Sequence, residues 1–191
     1  GAGFVVGDLT GTQDAAELGA LGAAAGRIAR RILSVSLAEW VASAGLGAPD
    51  LPPLVRSVAA EGAALAATDL LAASREMAIV EDRARAILAR HGPLLQPVLS
   101  GPPPAPGRFD FDATDTDAHF AAMARTSPGA ALANVAGLPV LALPFTQTAA
   151  AEGRSLPAGL CLTGLPGAEG GLMALGAAIA GLCPPVAYPF D

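Results

Sequence analysis

The chain has 191 residues, 52% of them hydrophobic and only 15% charged, with a net charge of −6. An ordinary soluble domain carries roughly 25% charged residues, so this one has little charge with which to cover a complete surface of its own. The acidic balance and the scattering of 11 basic residues, all arginine, exclude a basic nucleic-acid footprint.

The chain begins with GFVV at residues 3–6, which could form a short strand. The spacing of Leu18, Leu21, Ala25, Ile28, Ile32 and Val35 predicts a long helix from Asp14 to Ala42. Gly45, Gly47 and Pro49 end it. Within it Arg27, Arg30 and Arg31 are read as a solvated polar face. A second helix is expected from Pro53 to Gly62. A third is expected from Thr68, as N-cap, to Arg90, with Met77, Val80, Ala84 and Ile87 or Leu88 facing inward. His91-Gly92-Pro93 stops it.

Leu94 to Leu99 reads as a strand that Pro97 confines to an edge or a bulge. The GPPPAPG segment at 101–107 is a rigid extended loop. An acidic stretch follows to Asp117, with Phe109, Phe111 and Phe120 to fold part of it back onto the body. Ser127-Pro128 suits a helix start, running to Val135 and containing Asn134, whose amide would be buried. Strands are expected at Leu138–Leu143 and Leu156–Thr163, and a helix at Ala168–Gly181. This order implies an α/β body, a mixed-sheet core flanked by helices. The chain divides into a helical segment, 1–67, and a denser segment, 68–191.

Candidate chemistry is sparse. Cys161 and Cys183 lie in apolar surroundings without a CxxC pattern, and His91 and His119 have no companions at ligand spacing, so no metal site is expected. The uncharged run from Gly170 to Phe190 is long enough to span a bilayer, but its CPPVAYPF end cannot stay helical, so a buried helix is expected and no membrane partner. No secretory signal opens the sequence, and a cytoplasmic location is expected.

The last third carries paired motifs. ANVAGLPVLALPF, with Asn134, Gly137, Pro139 and Pro144, is followed by SLPAGLCLTG, with Leu156, Pro157, Gly159, Leu160 and Gly164, and then by Glu169 before a helix. Together they resemble the carboxyl-terminal part of the amidase signature family. The resemblance covers residues 68–182 well and the first helix loosely. Ser155 and Cys161 depart from the family's usual glycine and glutamine.

The resemblance implies hydrolysis of a carboxamide C–N bond through an acyl-serine intermediate, without a cofactor. It also implies a Ser-cisSer-Lys triad, with the lysine as base and a glycine-rich oxyanion hole. This chain has no lysine and no adjacent serine pair. No catalytic residue is therefore assigned within it, and the triad is expected on a missing amino-terminal half or on a separate chain. The loop expected after Pro144 would face a small-molecule amide substrate through Phe145, Thr146 and Gln147. A homodimer is a family-level expectation. The alternative function is a non-catalytic, amidase-derived structural or partner subunit.

Overall fold

A computed structural model describes residues 5–149 and 155–183. Helix α1 spans Gln13–Ser43, α2 Pro53–Ala64 and α3 Ala67–His91. Strand β1 is Leu94–Pro97, followed by α4, Thr116–Thr126, and α5, Ala130–Val135. Strands β2, Val140–Ala149, and β3, Ser155–Thr163, lead to α6, Glu169–Ala180. The structure is thus an α/β body with a small sheet flanked by helices. The described strands lie in the order β1-β3-β2, and both pairings are antiparallel.

Local chemistry explains the helix ends. The Thr12 hydroxyl accepts from the Ala15 N–H at 3.1 Å and so caps α1. Gly45, at φ 66°, closes α1 as the left-handed residue, and the Leu46 N–H reaches back to the Val41 carbonyl at 3.2 Å. Gly92, at φ 83°, ends α3 where the His-Gly-Pro stop is expected. Thr68 is not the cap of α3: Ala66 holds that place without a side-chain bond, and Thr68 lies inside the first turn.

The core lies between α1, α3 and α5. Leu21, Ala25 and Ile28 of α1 meet Ala73, Val80, Ala84, Ile87 and Leu88 of α3, with Leu132 and Ala136 of α5 and Leu138 just beyond it. Truncating one such large side chain to alanine costs about 2–5 kcal/mol. The ion pairs tying α1 to α3 are Arg27–Glu76 at 3.3 Å, Arg83–Glu17 at 3.9 Å and Arg90–Asp14 at 2.7 Å. Exposed pairs of this kind contribute at most about 1 kcal/mol each, so burial dominates. Helix α2 packs on α1 at Gly62, where a side-chain carbon would lie 1.8 Å from the Ser34 carbonyl oxygen.

The sheet stands between this helical layer and α6. One face carries Leu94, Gln96, Cys161 and Thr163 toward α5 and the core; the other carries Leu141, Leu143, Leu160 and Leu162. Helix α6 lies on that second face through Gly176, whose Cβ would sit 2.3 Å from Leu141 Cδ2. Pro97 is on an edge strand, where its missing N–H breaks no ladder.

Two expectations are corrected here. Residues 116–126 form α4, capped by the Asp115 carboxylate on the Ala118 N–H at 2.8 Å, where the sequence reading had only an acidic loop and its fold-back. Ser127 ends α4 and does not begin α5; its hydroxyl donates to the Val98 carbonyl at 3.0 Å, and Gly129 precedes α5. Of the strand expected at 3–6, residues 3 and 4 lie outside the described residues, and Val5 and Val6 have no regular structure. Residues 184–190 of the CPPVAYPF segment also lie outside them. Among the described residues no helix is long and apolar enough to cross a membrane.

Candidate functional site

The two motifs build one hairpin and the helix that feeds it. Helix α5 ends at Ala136, and Gly137 follows at φ 59°. The Leu138 N–H then bonds to the Ala133 carbonyl at 2.9 Å, which turns the chain from α5 into β2. Gly159 lets β3 pass close to its neighbours, since a Cβ there would lie 3.2 Å from both the Leu143 carbonyl oxygen and Val98 Cγ2. Gly164 leaves room for Leu172, whose Cδ1 would be 2.9 Å from an added Cβ. The motif glycines and Pro139 thus fix the path by which β2 reaches Pro144.

The loop expected after Pro144 is a strand. β2 continues to Ala149, pairing Thr146 with Ala158 and Gln147 with Pro157. The register shifts between Pro144 and Thr146, which leaves Phe145 as the extra residue of a β-bulge. A bulge bends the strand and re-aims the side chain it carries, and Phe145 is 41% exposed. Thr146 and Gln147 are also exposed, and as successive strand residues they occupy opposite faces of the hairpin. The three candidates therefore form a continuous surface strip, in which only one of Thr146 and Gln147 can share a face with Phe145. Asn134 is exposed, not buried as expected, because it lies on the outer side of the six-residue α5.

The groups that could act as nucleophile or base are occupied elsewhere. His91 Nε2 lies 2.6 Å from Asp14 Oδ2 where the end of α3 meets the start of α1. His119 packs edge-on between the rings of Phe109 and Phe120. Burial pushes the Cys161 thiol up, against a hydrogen bond with Gln96, so its thiolate is disfavoured. Among the described residues no cluster of His, Cys, Asp and Glu could hold a metal ion.

A charged groove of about 450 Å³ is lined by Arg27, Arg30, Arg31, Ser34, Glu61 and Leu65. Arg27 is exposed, as a solvated face requires, but Arg30 departs from that expectation. Arg30 is half-buried, donates to Glu61 at 2.8 Å and also pairs with Asp117, while its guanidinium lies 4.9 Å from the Phe120 ring centre. Thr116 donates to the same Glu61 carboxylate. Glu61, above all, holds the Arg30 guanidinium protonated beyond its ordinary range. Burial pushes the Glu61 carboxyl up, but its bonds from Arg30 and Thr116 outweigh this and leave it below the ordinary value. This network clasps α1, α2 and α4 together and leaves little net charge for a ligand.

The fold has solved counterparts. A crystal structure of an amidase is similar with a TM-score of 0.64 and 26% identity, over 83% of this chain and 35% of that one. The chain is related to part of an amidase. A 6-aminohexanoate cyclic dimer hydrolase, solved alone and with its substrate, shares the fold at a TM-score of 0.70 and 20% identity. Here too 83% of this chain is covered and 34% of the other. The chain spans about a third of the length of the proteins it matches. No family model matches the chain, and no curated protein does.

Proposed function

We propose that this chain is the carboxyl-terminal part of an amidase-type hydrolase that cleaves a carboxamide C–N bond through an acyl-serine intermediate. The observation that carries this reading is the 26% identity to an amidase along 83% of the chain. The catalytic residues then lie outside these 191 residues, since the chain offers neither a lysine nor a serine pair. In such a reaction a serine attacks the amide carbonyl, a neutral lysine takes up its proton, and the amine leaves before water releases the acid. This chain contributes sheet, outer helices and one wall of the acyl pocket. Phe145 supplies apolar surface to that wall, and whichever of Thr146 and Gln147 shares its face supplies a polar atom for an amide oxygen or nitrogen.

The test is to purify the native protein with every chain present, treat it with a fluorophosphonate and map the label by mass spectrometry. The label is expected on a serine outside this sequence. Label on a serine of this chain overturns the assignment of the triad, and an unlabelled, inactive species near 18.8 kDa would favour the non-catalytic subunit. In the active protein, Phe145→Ala is expected to raise KM for an apolar amide on the order of tenfold. Because Phe145 is 41% exposed, the same change should alter stability by no more than about 1 kcal/mol. An unchanged KM would remove Phe145 from the pocket.

A further inference from the structure

We propose that the groove between α1 and α2 binds a small aliphatic carboxylate, held by the Arg31 guanidinium and the Ser34 hydroxyl. The site belongs to the helical layer and stands independently of the function proposed above. Arg27, Arg30, Arg31 and Ser34 are spaced by three and four residues, which brings them to one face of α1. α2 crosses that face at Gly62, and Glu61, Ala64 and Leu65 form the opposite wall.

The groove's charges are unequally engaged. Arg30 and Glu61 bond to one another at 2.8 Å and cancel. Arg27 reaches out of the groove to Glu76 at 3.3 Å. Arg31 is half-buried, and among the described residues it has no ion-pair or hydrogen-bond partner. Ser34 gives a second, separate sign of a ligand. It is 1% exposed, and its hydroxyl has no partner, not even the Arg30 carbonyl one turn back. Buried hydroxyls in native proteins are nearly always hydrogen-bonded. Ser34 lines the groove, so a turn about its single side-chain torsion offers the hydroxyl to a molecule lying there.

These charges select the ligand. One uncompensated guanidinium matches one negative charge, and its planar fork fits the two oxygens of a carboxylate. Glu61 on the facing wall and Asp117 beside Arg30 repel a second negative charge, which disfavours phosphate. Ala64 and Leu65 give a short aliphatic chain a surface to lie on. The volume, about 450 Å³, is in the range of small-molecule sites.

The test uses the native protein with all its chains, treated with a fluorophosphonate and titrated with butyrate at fixed ionic strength. Binding is read by saturation-transfer NMR of the butyrate methyl group. Saturable binding is expected, and Arg31→Gln and Ser34→Ala should each weaken it about tenfold or more. Arg75→Gln, at an exposed position of α3, should leave it unchanged. Ser34→Ala removes an unpartnered hydroxyl, so without butyrate its urea midpoint should equal or exceed that of the wild type. Loss of binding in that variant is then not loss of folding. Full binding in Arg31→Gln or Ser34→Ala overturns the inference, as does the absence of saturable binding in the native protein. Butanamide binding as tightly as butyrate would show an apolar cleft only, and phosphate binding more tightly would show a site for higher charge; either result also overturns it. Butyrate binding seen only without fluorophosphonate belongs to the amide-cleaving site, which defeats this inference and leaves the proposed function standing.

Discussion

Gly62 fixes how closely α2 can lie on α1. The atom an alanine would bring meets backbone, the Ser34 carbonyl oxygen at 1.8 Å and its carbon at 2.2 Å, so no side-chain rotation can relieve it. Gly62→Ala is expected to destabilise the protein by about 1–3 kcal/mol or more, measured by urea unfolding. Gly176→Ala makes a useful contrast, because the nearest atom there is the end of the Leu141 side chain. A smaller loss than at Gly62 is expected. Equal losses would mean that the helices cannot adjust at either place. Such positions are only partly legible in a sequence. Gly137, Gly159 and Gly164 stand out as motif residues, but their reasons differ: a left-handed turn at the first and close neighbours at the other two. Gly62 carries no motif, and its role comes entirely from the partner helix. Asn134 misled for the opposite reason, since small neighbours suggest burial while a six-residue helix leaves an outer side open.

At the level of elements, the helices α1, α2 and α3 are readable from apolar spacing and glycine stops, because a 3.6-residue period persists through many turns. α4 is not readable in that way. Its 11 residues follow a run of aspartates, and only the Asp115 cap distinguishes helix start from acidic loop. β2 extends past the expected end because Pro144 falls on an open edge and a bulge absorbs the next residue. The clasps between helices predict a pH response. Asp14, bonded to His91 and then Arg90, and Glu61, bonded to Arg30 and Thr116, both have folded pKa values below their ordinary ones. A depressed carboxyl contributes stability that is present above its unfolded pKa and lost as the pH falls through its folded pKa. Stability should therefore hold from neutrality down to about pH 4 with respect to these groups and decline below it. Asp14→Asn should lower the unfolding midpoint at pH 7, and the gap from the wild type should narrow as the pH falls below the ordinary aspartate range. A gap that stays constant with pH would show that the Asp14 pairs contribute nothing electrostatic.

Across the whole molecule, the core belongs to the helical layer and the sheet is attached through α5, Leu138 and the faces of β3. The fold class was visible from the order of elements, and the relation to amidases from paired glycine and proline positions. Of the candidate site the sequence offers only a segment, Phe145–Gln147, whose pocket role is the proposal tested above. A strand's free edge and a bulge depend on which chain lies alongside, and no single stretch of residues records that.

Cys161 turns this architecture into a chemical clock. Its sulfur sits on the central strand, on the sheet face turned toward α5, 3.9 Å from the Pro97 carbonyl oxygen of the neighbouring edge strand β1. Buried and with its thiol pushed up, it can meet an alkylating reagent only when the packing on that face opens. Cys183 is half-buried just beyond α6, its thiol donating to the Ile179 carbonyl at 3.3 Å. Iodoacetamide should therefore modify Cys183 first, and the later rate at Cys161 should measure how often the sheet opens. Modification of both at one rate would mean that packing on the sheet face does not gate the thiol.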